Sequence, residues 1–236
     1  MKKTLIWLAF LLGALSIGCG GGGGSSAMQA APRNLESAPA PTEPFNIPST
    51  TLTASSGGNS YTATYSATPN NGTTMFDGQE ANSSTISLTI TENGSPIVTE
   101  IDTVYYLKNP YQPLGMGVLY ESPFTHFSVL YNSTNPLPST LTVGDSGALF
   151  DGTSYTGLNP NVGHLFENYS VASNNASTVL LTTNTIGNLY GGEILISETI
   201  NYAVNASGAF ELQSIEIPVR GTTLTFTNSC SGCWDY

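Results

Sequence analysis

The stretch TISLTITENGSPIVTEIDTVYYL, residues 85–107, decides the fold class of this 236-residue chain. Apolar residues alternate with Ser and Thr through its first seven positions, and a period of two is typical of a half-buried β-strand. Asn93-Gly94 accepts the positive φ angles of a type I′ turn, which joins two antiparallel strands. We therefore expect Thr85–Thr91 to pair with Ile97–Leu107 in a β-hairpin.

Similar alternation continues along most of the chain after residue 60, and Asn-Gly, Asp-Gly and Gly-Gly pairs separate the alternating runs. The other predicted strands are Val118–Tyr120, Phe127–Tyr131, His164–Ala172, Thr178–Thr183, Glu193–Val204, Ala209–Val219 and Thr222–Thr227. The last three are expected to form a meander. No window carries the apolar stripe of an amphipathic helix, so we predict no helix after the N-terminal segment.

An antiparallel meander of about ten strands must hide its apolar face, as a curved sheet, half-barrel or barrel, or else as a β-sandwich. Tight turns between successive strands favour the curved sheet or barrel, because Greek-key sandwiches need long crossovers. Within Phe210–Ile217 the apolar residues change from even to odd positions around Gln213. This change predicts a β-bulge that bends the strand.

The N-terminus has the pattern of an export signal. Two Lys residues precede an apolar run from Leu5 to Ile17, which is too short for a membrane span. The run ends in Leu15-Ser16-Ile17-Gly18-Cys19, which resembles the lipobox of bacterial lipoproteins. The resemblance implies a signal peptide over residues 1–18 and, on Cys19, acyl chains such as palmitate that attach the protein to a membrane.

The residues after Cys19 extend these expectations. In a Gram-negative host, Gly20 lacks the Asp that retains lipoproteins in the inner membrane, so the resemblance implies the outer membrane, with a periplasmic or surface-facing domain. An ordinary signal-peptidase cut near Ala27 is the alternative. Gly, Ser and Pro dominate residues 19–49, which are predicted to be a disordered tether, and residues 50–236 are predicted to be one all-β domain.

Charge limits the partners of the exported chain. Beyond Cys19 it contains only Arg33, Lys108 and Arg220 as cations, beside sixteen acidic residues. Nucleic acids and anionic headgroups bind basic surfaces, so we expect neither as a partner of the domain. A small molecule, a glycan or another envelope protein stays open.

Two motifs suggest chemistry but have simpler explanations. Gly144-Asp145-Ser146-Gly147 looks like the nucleophile motif of chymotrypsin-like proteases, but that family needs its His well upstream, and a turn explains the same residues. Cys230 and Cys233 have the spacing of a thioredoxin-type pair or half a zinc site. A small disulfide loop is the preferred interpretation in an oxidising compartment. No catalytic residue, metal site or cofactor is predicted.

Carboxylates and tyrosines are the remaining candidates. Glu100 and Asp102 share one face of their strand, which we expect to look at solvent. Glu198 interrupts an apolar face, and as a buried carboxylate it would need a partner such as Arg220 or Lys108. Eight tyrosines could line a pocket for a sugar or lipid. They are Tyr105, Tyr106, Tyr111, Tyr120, Tyr131, Tyr155, Tyr169 and Tyr190.

The sequence thus favours a non-enzymatic, membrane-anchored envelope protein with a binding or structural β-domain. The alternative is a periplasmic or surface hydrolase that uses acidic residues. Inward-facing carboxylates clustered in a cleft would favour the hydrolase, and a tyrosine-lined cavity or a packed interior would favour binding or scaffolding.

Overall fold

The computed structural model of the protein describes residues 34–41, 46–121, 128–156, 159–189 and 194–228. These residues form fifteen strands and no helix, so the predicted all-β class is confirmed. The strands are β1 Ser37–Pro39, β2 Ile47–Ser56, β3 Asn59–Pro69, β4 Thr74–Phe76, β5 Gln79–Glu92, β6 Ser95–Leu107, β7 Gln112–Glu121, β8 Ser128–Thr134, β9 Thr140–Thr142, β10 Ser146–Thr156, β11 Asn159–Ser173, β12 Thr178–Leu189, β13 Ile194–Asn205, β14 Phe210–Val219 and β15 Thr222–Thr227. Within the described ranges there is no helix of the length and apolarity that crossing a membrane requires.

Thirteen of these strands form one antiparallel sheet that is nearly closed into a barrel. Its order is β3-β2-β15-β14-β13-β12-β11-β10-β8-β7-β6-β5-β4, and β3 also pairs with β5. The sheet therefore returns to its own first strand, with β4 as a short flap beyond β5. The least extensive strand pairing is that between β15 and β2, which share the single residue pair Thr227 and Thr53. One continuous sheet of this kind is the predicted curved sheet or barrel and not the sandwich.

The predicted hairpin and bulge are both confirmed. Asn93 and Gly94 have φ angles of 49° and 83°, and β5 pairs with β6 across this turn. On β14, Asn201 of β13 pairs with Ser214 and Tyr202 pairs with Leu212, so Gln213 is the extra residue of a bulge. The bulge lets residues on both sides of it point inwards.

The predicted strands after residue 160 match β11 to β15 closely, and the last three form the predicted meander. Phe127 and Glu193, each the first residue of a predicted strand, lie outside the described residues. Sequence analysis did not find β2 or β10, in which Ser, Thr and Gly blur the alternation. More strands therefore form the sheet than were predicted.

The folded structure begins earlier than the boundary predicted at Thr50. Ser37–Pro39 pairs with Thr140–Thr142 to form a separate two-stranded sheet. The amide of Leu35 donates to the carbonyl of Asn175, in the turn between β11 and β12. Ala38 and Ile47 are buried, so part of the stretch predicted to be a tether belongs to the core.

The β1–β9 sheet covers one end of the barrel, and we call it the plug. Its side chains Ala38 and Leu141 are almost fully buried. The amide of Leu137, just before β9, donates to the carbonyl of Tyr111 in the turn between β6 and β7. The plug is thus hydrogen-bonded and packed against turns at the end of the barrel where β6 ends.

The core occupies the inside of the sheet, and hydroxyl and amide side chains join strands on the outside. The largest fully buried apolar side chains are Tyr106, Phe226, Leu52, Ile90, Leu141, Leu212 and Ile215. On the outer face, Thr182 donates to Asn201 at 2.6 Å, and Asn201 donates to Ser214 at 2.9 Å. Cross-strand pairs of this kind contribute roughly 0.2–1 kcal/mol each.

We expect Gly187→Ala to destabilise the barrel, because an added methyl group would lie 2.2 Å from the His164 carbonyl oxygen on the neighbouring strand. Overpacking of this kind costs about 1–3 kcal/mol. Gly117→Ala is the matched control within strand β7, since nothing lies within 4 Å of the added atom. Urea denaturation compares the two variants, and equal free energies of unfolding would contradict the close approach at Gly187.

Candidate functional site in the barrel interior

The barrel contains a cavity of about 170 Å³. Most of its wall is apolar, and Pro41 and Leu137 border it beside the plug. Five tyrosines and four carboxylic side chains interrupt the apolar wall: Tyr65, Tyr105, Tyr111, Tyr131 and Tyr202, with Glu100, Asp102, Glu167 and Glu198. A mostly apolar cavity with a few polar groups is the usual composition of a small-molecule site.

Aromatic rings on the cavity wall support one another. Tyr131 and Phe150 stack with their centroids 3.8 Å apart and their planes within 7°. Tyr202 and Phe210 meet edge to face at 5.8 Å. Such pairs contribute about 0.5–1.5 kcal/mol beyond the area that they bury. The rings are therefore held in place before any ligand enters.

One row of polar residues crosses three neighbouring strands. Glu167 of β11 pairs with Thr185 of β12, and Thr185 pairs with Glu198 of β13. Residues directly opposite on paired strands lie on the same face of a sheet, so all three side chains face the interior. Neighbouring strands are about 4.8 Å apart, so the Cα atoms of the two glutamates are separated by roughly 10 Å.

A second row crosses strands β3, β5 and β6. Tyr65 pairs with Leu88, and Leu88 pairs with Glu100. Two positions further along β6, Asp102 also faces the interior and is only 4% exposed. Carboxyl groups thus enter the cavity from separate parts of the barrel wall.

The protein makes ionisation of two of these carboxyl groups costly. Burial raises the pKa of Glu167 from 4.5 to about 7, although hydrogen bonds with Thr183 and Thr185 lower it. Burial, and after it the charges of Glu100 and Glu167, raise the pKa of Glu198 from 4.5 to about 8. Both side chains keep partial exposure because they border the cavity. A carboxylic acid with such a pKa can gain or lose its proton near neutral pH.

Four of the tyrosine hydroxyls on the wall stay protonated. Burial raises the pKa of Tyr65, Tyr111, Tyr131 and Tyr202 far above the ordinary value of 10, and nearby acidic groups raise it as well. A hydrogen bond joins the hydroxyls of Tyr65 and Tyr202, which come from strands that are not neighbours in the sheet. These tyrosines are neutral hydrogen-bonding groups on an apolar wall.

The expectation that Glu100 and Asp102 look at solvent is wrong. Both line the cavity, because the closed sheet turns their face of β6 inwards. Glu198 also lines the cavity, but Arg220, one predicted partner, forms its ion pair with Glu92 instead. Among the described residues that line the cavity there is no Lys, Arg or His.

The eight tyrosines predicted to line a pocket divide into groups. Tyr105, Tyr111 and Tyr131 border the cavity, whereas Tyr106 is fully buried beside it with its hydroxyl 3.1 Å from that of Ser84. Tyr169 is not among the cavity residues. Nothing is described of the side chains of Tyr120, Tyr155 and Tyr190.

Sequence analysis missed Tyr65, Glu167 and Tyr202 as cavity residues. Glu167 carries the same signal that singled out Glu198, because it interrupts the alternation of Leu165, Tyr169 and Val171. A carboxylate among inward-facing apolar residues is costly and therefore informative. The two tyrosines gave no such signal, since tyrosine is common in strands.

The protease-like motif forms a turn, as predicted. Gly144 has a φ of 98°, and the Asp145 carboxylate accepts a hydrogen bond from the Thr142 amide at 2.8 Å. Ser146 pairs with Ser170, six positions along β11 from His164, which is a separation of roughly 20 Å. His164 instead contacts the carboxylate of Asp151 at 2.6 Å. These groups do not form a catalytic triad with Ser146.

Other predicted residues lie outside the described part of the chain. Cys19, Cys230 and Cys233 all belong to stretches of which nothing is described. In the described ranges, no three His, Cys, Asp or Glu side chains converge closely enough to hold a metal ion.

Fold and site together define a class of protein: an antiparallel β-barrel with a tyrosine-lined cavity that contains carboxylic acids. No protein-family model, no curated protein and no solved structure matches the chain.

We expect the free energy of unfolding to fall by about 6 kcal/mol between pH 5 and pH 8. In this range the folded protein keeps protons on Glu167 and Glu198, whose pKa values are raised, and the unfolded chain releases them. Rising pH therefore favours unfolding until it passes the folded pKa values. Urea denaturation across this pH range measures the effect.

Glu198→Gln tests the source of that pH dependence. The amide cannot ionise, so the variant should be about 4 kcal/mol more stable than the wild type at pH 8.5 and nearly equal to it at pH 5. Glu216→Gln, at an exposed position of β14, is the control and should change neither value. An unaltered pH profile in Glu198→Gln would contradict the assignment.

Proposed function

We propose that this chain is a lipid-anchored envelope protein whose β-barrel binds a small organic ligand in its interior without chemically changing it. The cavity is the observation that carries the binding function. Cavities of about 150 Å³ bind benzene, so this one has room for a small aromatic or aliphatic molecule.

The polar groups on the wall support binding over scaffolding. A barrel that only had to be stable would fill its interior with aliphatic side chains at close packing. Here Glu167 and Glu198 occupy inward positions at a cost in stability, and Thr183 and Thr185 hydrogen-bond the first of them. Costly polar groups around an internal space are typical of sites that recognise a ligand.

The envelope location is supported by the sequence. Residues 15–19 resemble a lipobox, and a stretch rich in Gly and Ser follows them. Acyl chains on Cys19 would give durable attachment to the outer membrane, and the residues up to the plug would hold the barrel in the periplasm or at the cell surface.

Filling the cavity should abolish binding. Leu165 lines the cavity and is buried, whereas its neighbour Phe166 is 36% exposed on the outer face. We expect 2-phenylethanol or phenethylamine to bind the wild type with a Kd of roughly 10 µM to 1 mM. Leu165→Trp should weaken binding at least tenfold, and Phe166→Trp should leave it unchanged.

Ligand-observed NMR and calorimetry measure this binding, and thermal unfolding shows that both variants are folded. Equal binding to Leu165→Trp and the wild type would show that the probes bind elsewhere. If neither probe bound the wild type, the proposed function would be wrong.

A hydrolase is the second candidate, because the carboxylic acids face inwards as that alternative requires. Glycosidases place their two carboxyl groups about 5 to 9.5 Å apart, with one ionised and one protonated. The backbones at Glu167 and Glu198 are roughly 10 Å apart. Burial raises the pKa of these two carboxyl groups to about 7 and about 8, so neither is fully ionised at pH 7. The small volume and apolar wall favour a compact ligand over a polymer.

Chromogenic aryl glycosides and aryl esters distinguish the two candidates. We expect no turnover beyond that of Glu198→Gln between pH 5 and pH 8. Turnover by the wild type that Glu198→Gln loses and Glu216→Gln keeps would establish the hydrolase instead.

Anchoring is tested with Cys19→Ala in a Gram-negative host. The wild type should fractionate with the outer membrane and have a mature mass that begins at Cys19 plus acyl chains. Cys19→Ala should be soluble or keep its signal peptide, and Ser25→Ala, outside the lipobox, should behave as the wild type. A wild-type mass without acyl chains would contradict the anchor.

A further inference from the structure

We infer that the cavity binds an organic cation, an ammonium group carried on a compact apolar or aromatic body. This inference deepens the binding function proposed above and rests on it. Both the carboxyl groups and the aromatic side chains of the cavity wall favour a positively charged ligand.

The distribution of charge around the cavity favours a cationic ligand. Glu167 and Glu198 lie on β11 and β13, on either side of β12, and Glu100 lies on β6 in another part of the barrel wall. Lys, Arg and His are absent from the described lining of the same cavity. An ammonium group placed among these side chains would supply the positive charge that makes the ionisation of Glu167 and Glu198 favourable.

The aromatic side chains of the cavity wall also favour a cation. Tyr131 stacks on Phe150, and Tyr202 meets Phe210, all four on the cavity surface. Cations are attracted to the faces of aromatic rings, and the attraction is stronger where water is excluded. The same rings also offer apolar surface to the body of the ligand.

Other ligand classes fit this lining less well. An anion would be repelled by the carboxylates and would find no described cation to pair with. A bare metal ion needs ligands that converge on one point, and the described carboxylates do not converge in this way. A neutral molecule can form hydrogen bonds with the protonated acids, but it does not make their ionisation favourable.

Binding of a cation must involve protons. The titratable groups that face the cavity are Glu100 and Asp102 on β6, Glu167 on β11 and Glu198 on β13, with the hydroxyls of Tyr65, Tyr105, Tyr111, Tyr131 and Tyr202. Burial keeps Glu167 and Glu198 largely protonated at pH 6. A bound ammonium group favours their ionised forms, so binding should release protons and strengthen as pH rises from 6 to 8.

Three probes of nearly the same shape test the charge class: phenethylamine, 2-phenylethanol and 3-phenylpropanoate. At pH 8 we expect phenethylamine to bind at least tenfold more tightly than the alcohol, and the carboxylate more weakly than either. The affinity for the amine should rise at least fivefold from pH 6 to pH 8, while that for the alcohol stays constant.

Two variants locate the effect. Glu198→Gln should weaken phenethylamine binding at pH 8 at least fivefold and leave the alcohol unaffected, whereas Glu216→Gln should change neither. Calorimetry in two buffers of different ionisation enthalpy should show release of about one proton at pH 7, and less in Glu198→Gln.

The outcomes separate this inference from the proposed function. If the amine and the alcohol bind equally and Leu165→Trp removes both, the cavity is a binding site but its ligand is not a cation. Tighter binding of 3-phenylpropanoate would also overturn the inference. If none of the three probes binds, the inference and the proposed function fail together.

Discussion

The pairing of β3 with both β2 and β5 is the constraint on which the rest of the structure depends. A long antiparallel sheet has two edges whose backbone groups need partners, and pairing the first strands with later ones removes most of that exposed edge. Once the sheet curves back on itself, alternate residues of every strand point into a limited interior. Each inward residue must then either pack against the others or border a cavity.

Some inward-facing residues pack against one another, and others border the cavity. Strands β2, β14 and β15 contribute packed side chains such as Leu52, Ile215 and Phe226, which are fully buried. Of these three strands, only β14 reaches the cavity, through Phe210. The carboxyl groups come from β6, β11 and β13 instead. Packed side chains and costly carboxyl groups thus lie on different parts of one continuous sheet, so the proposed binding site can carry these groups without loss of the fold.

The plug links the N-terminal part of the domain to the cavity. Strand β1 pairs with β9, and Pro41 and Leu137, close to these strands in sequence, border the internal space. The segment that follows the proposed anchor therefore contributes to the cavity wall. The proposed anchor would therefore connect to the same end of the barrel at which Pro41 and Leu137 border the proposed binding cavity.

The sequence by itself determined the features that depend on neighbouring residues. The period of two, the Asn93-Gly94 turn and the bulge at Gln213 are local, because side-chain alternation and backbone φ angles act within a few residues. Glu198 could be singled out because it breaks an apolar face. Only the tertiary structure decided which face of β6 is inside: both faces carry apolar residues, and closure of the sheet turned Glu100 and Asp102 inwards. Closure depends on pairings between residues far apart in the chain, such as Thr53 with Thr227, and alternation within a single strand contains no information about them.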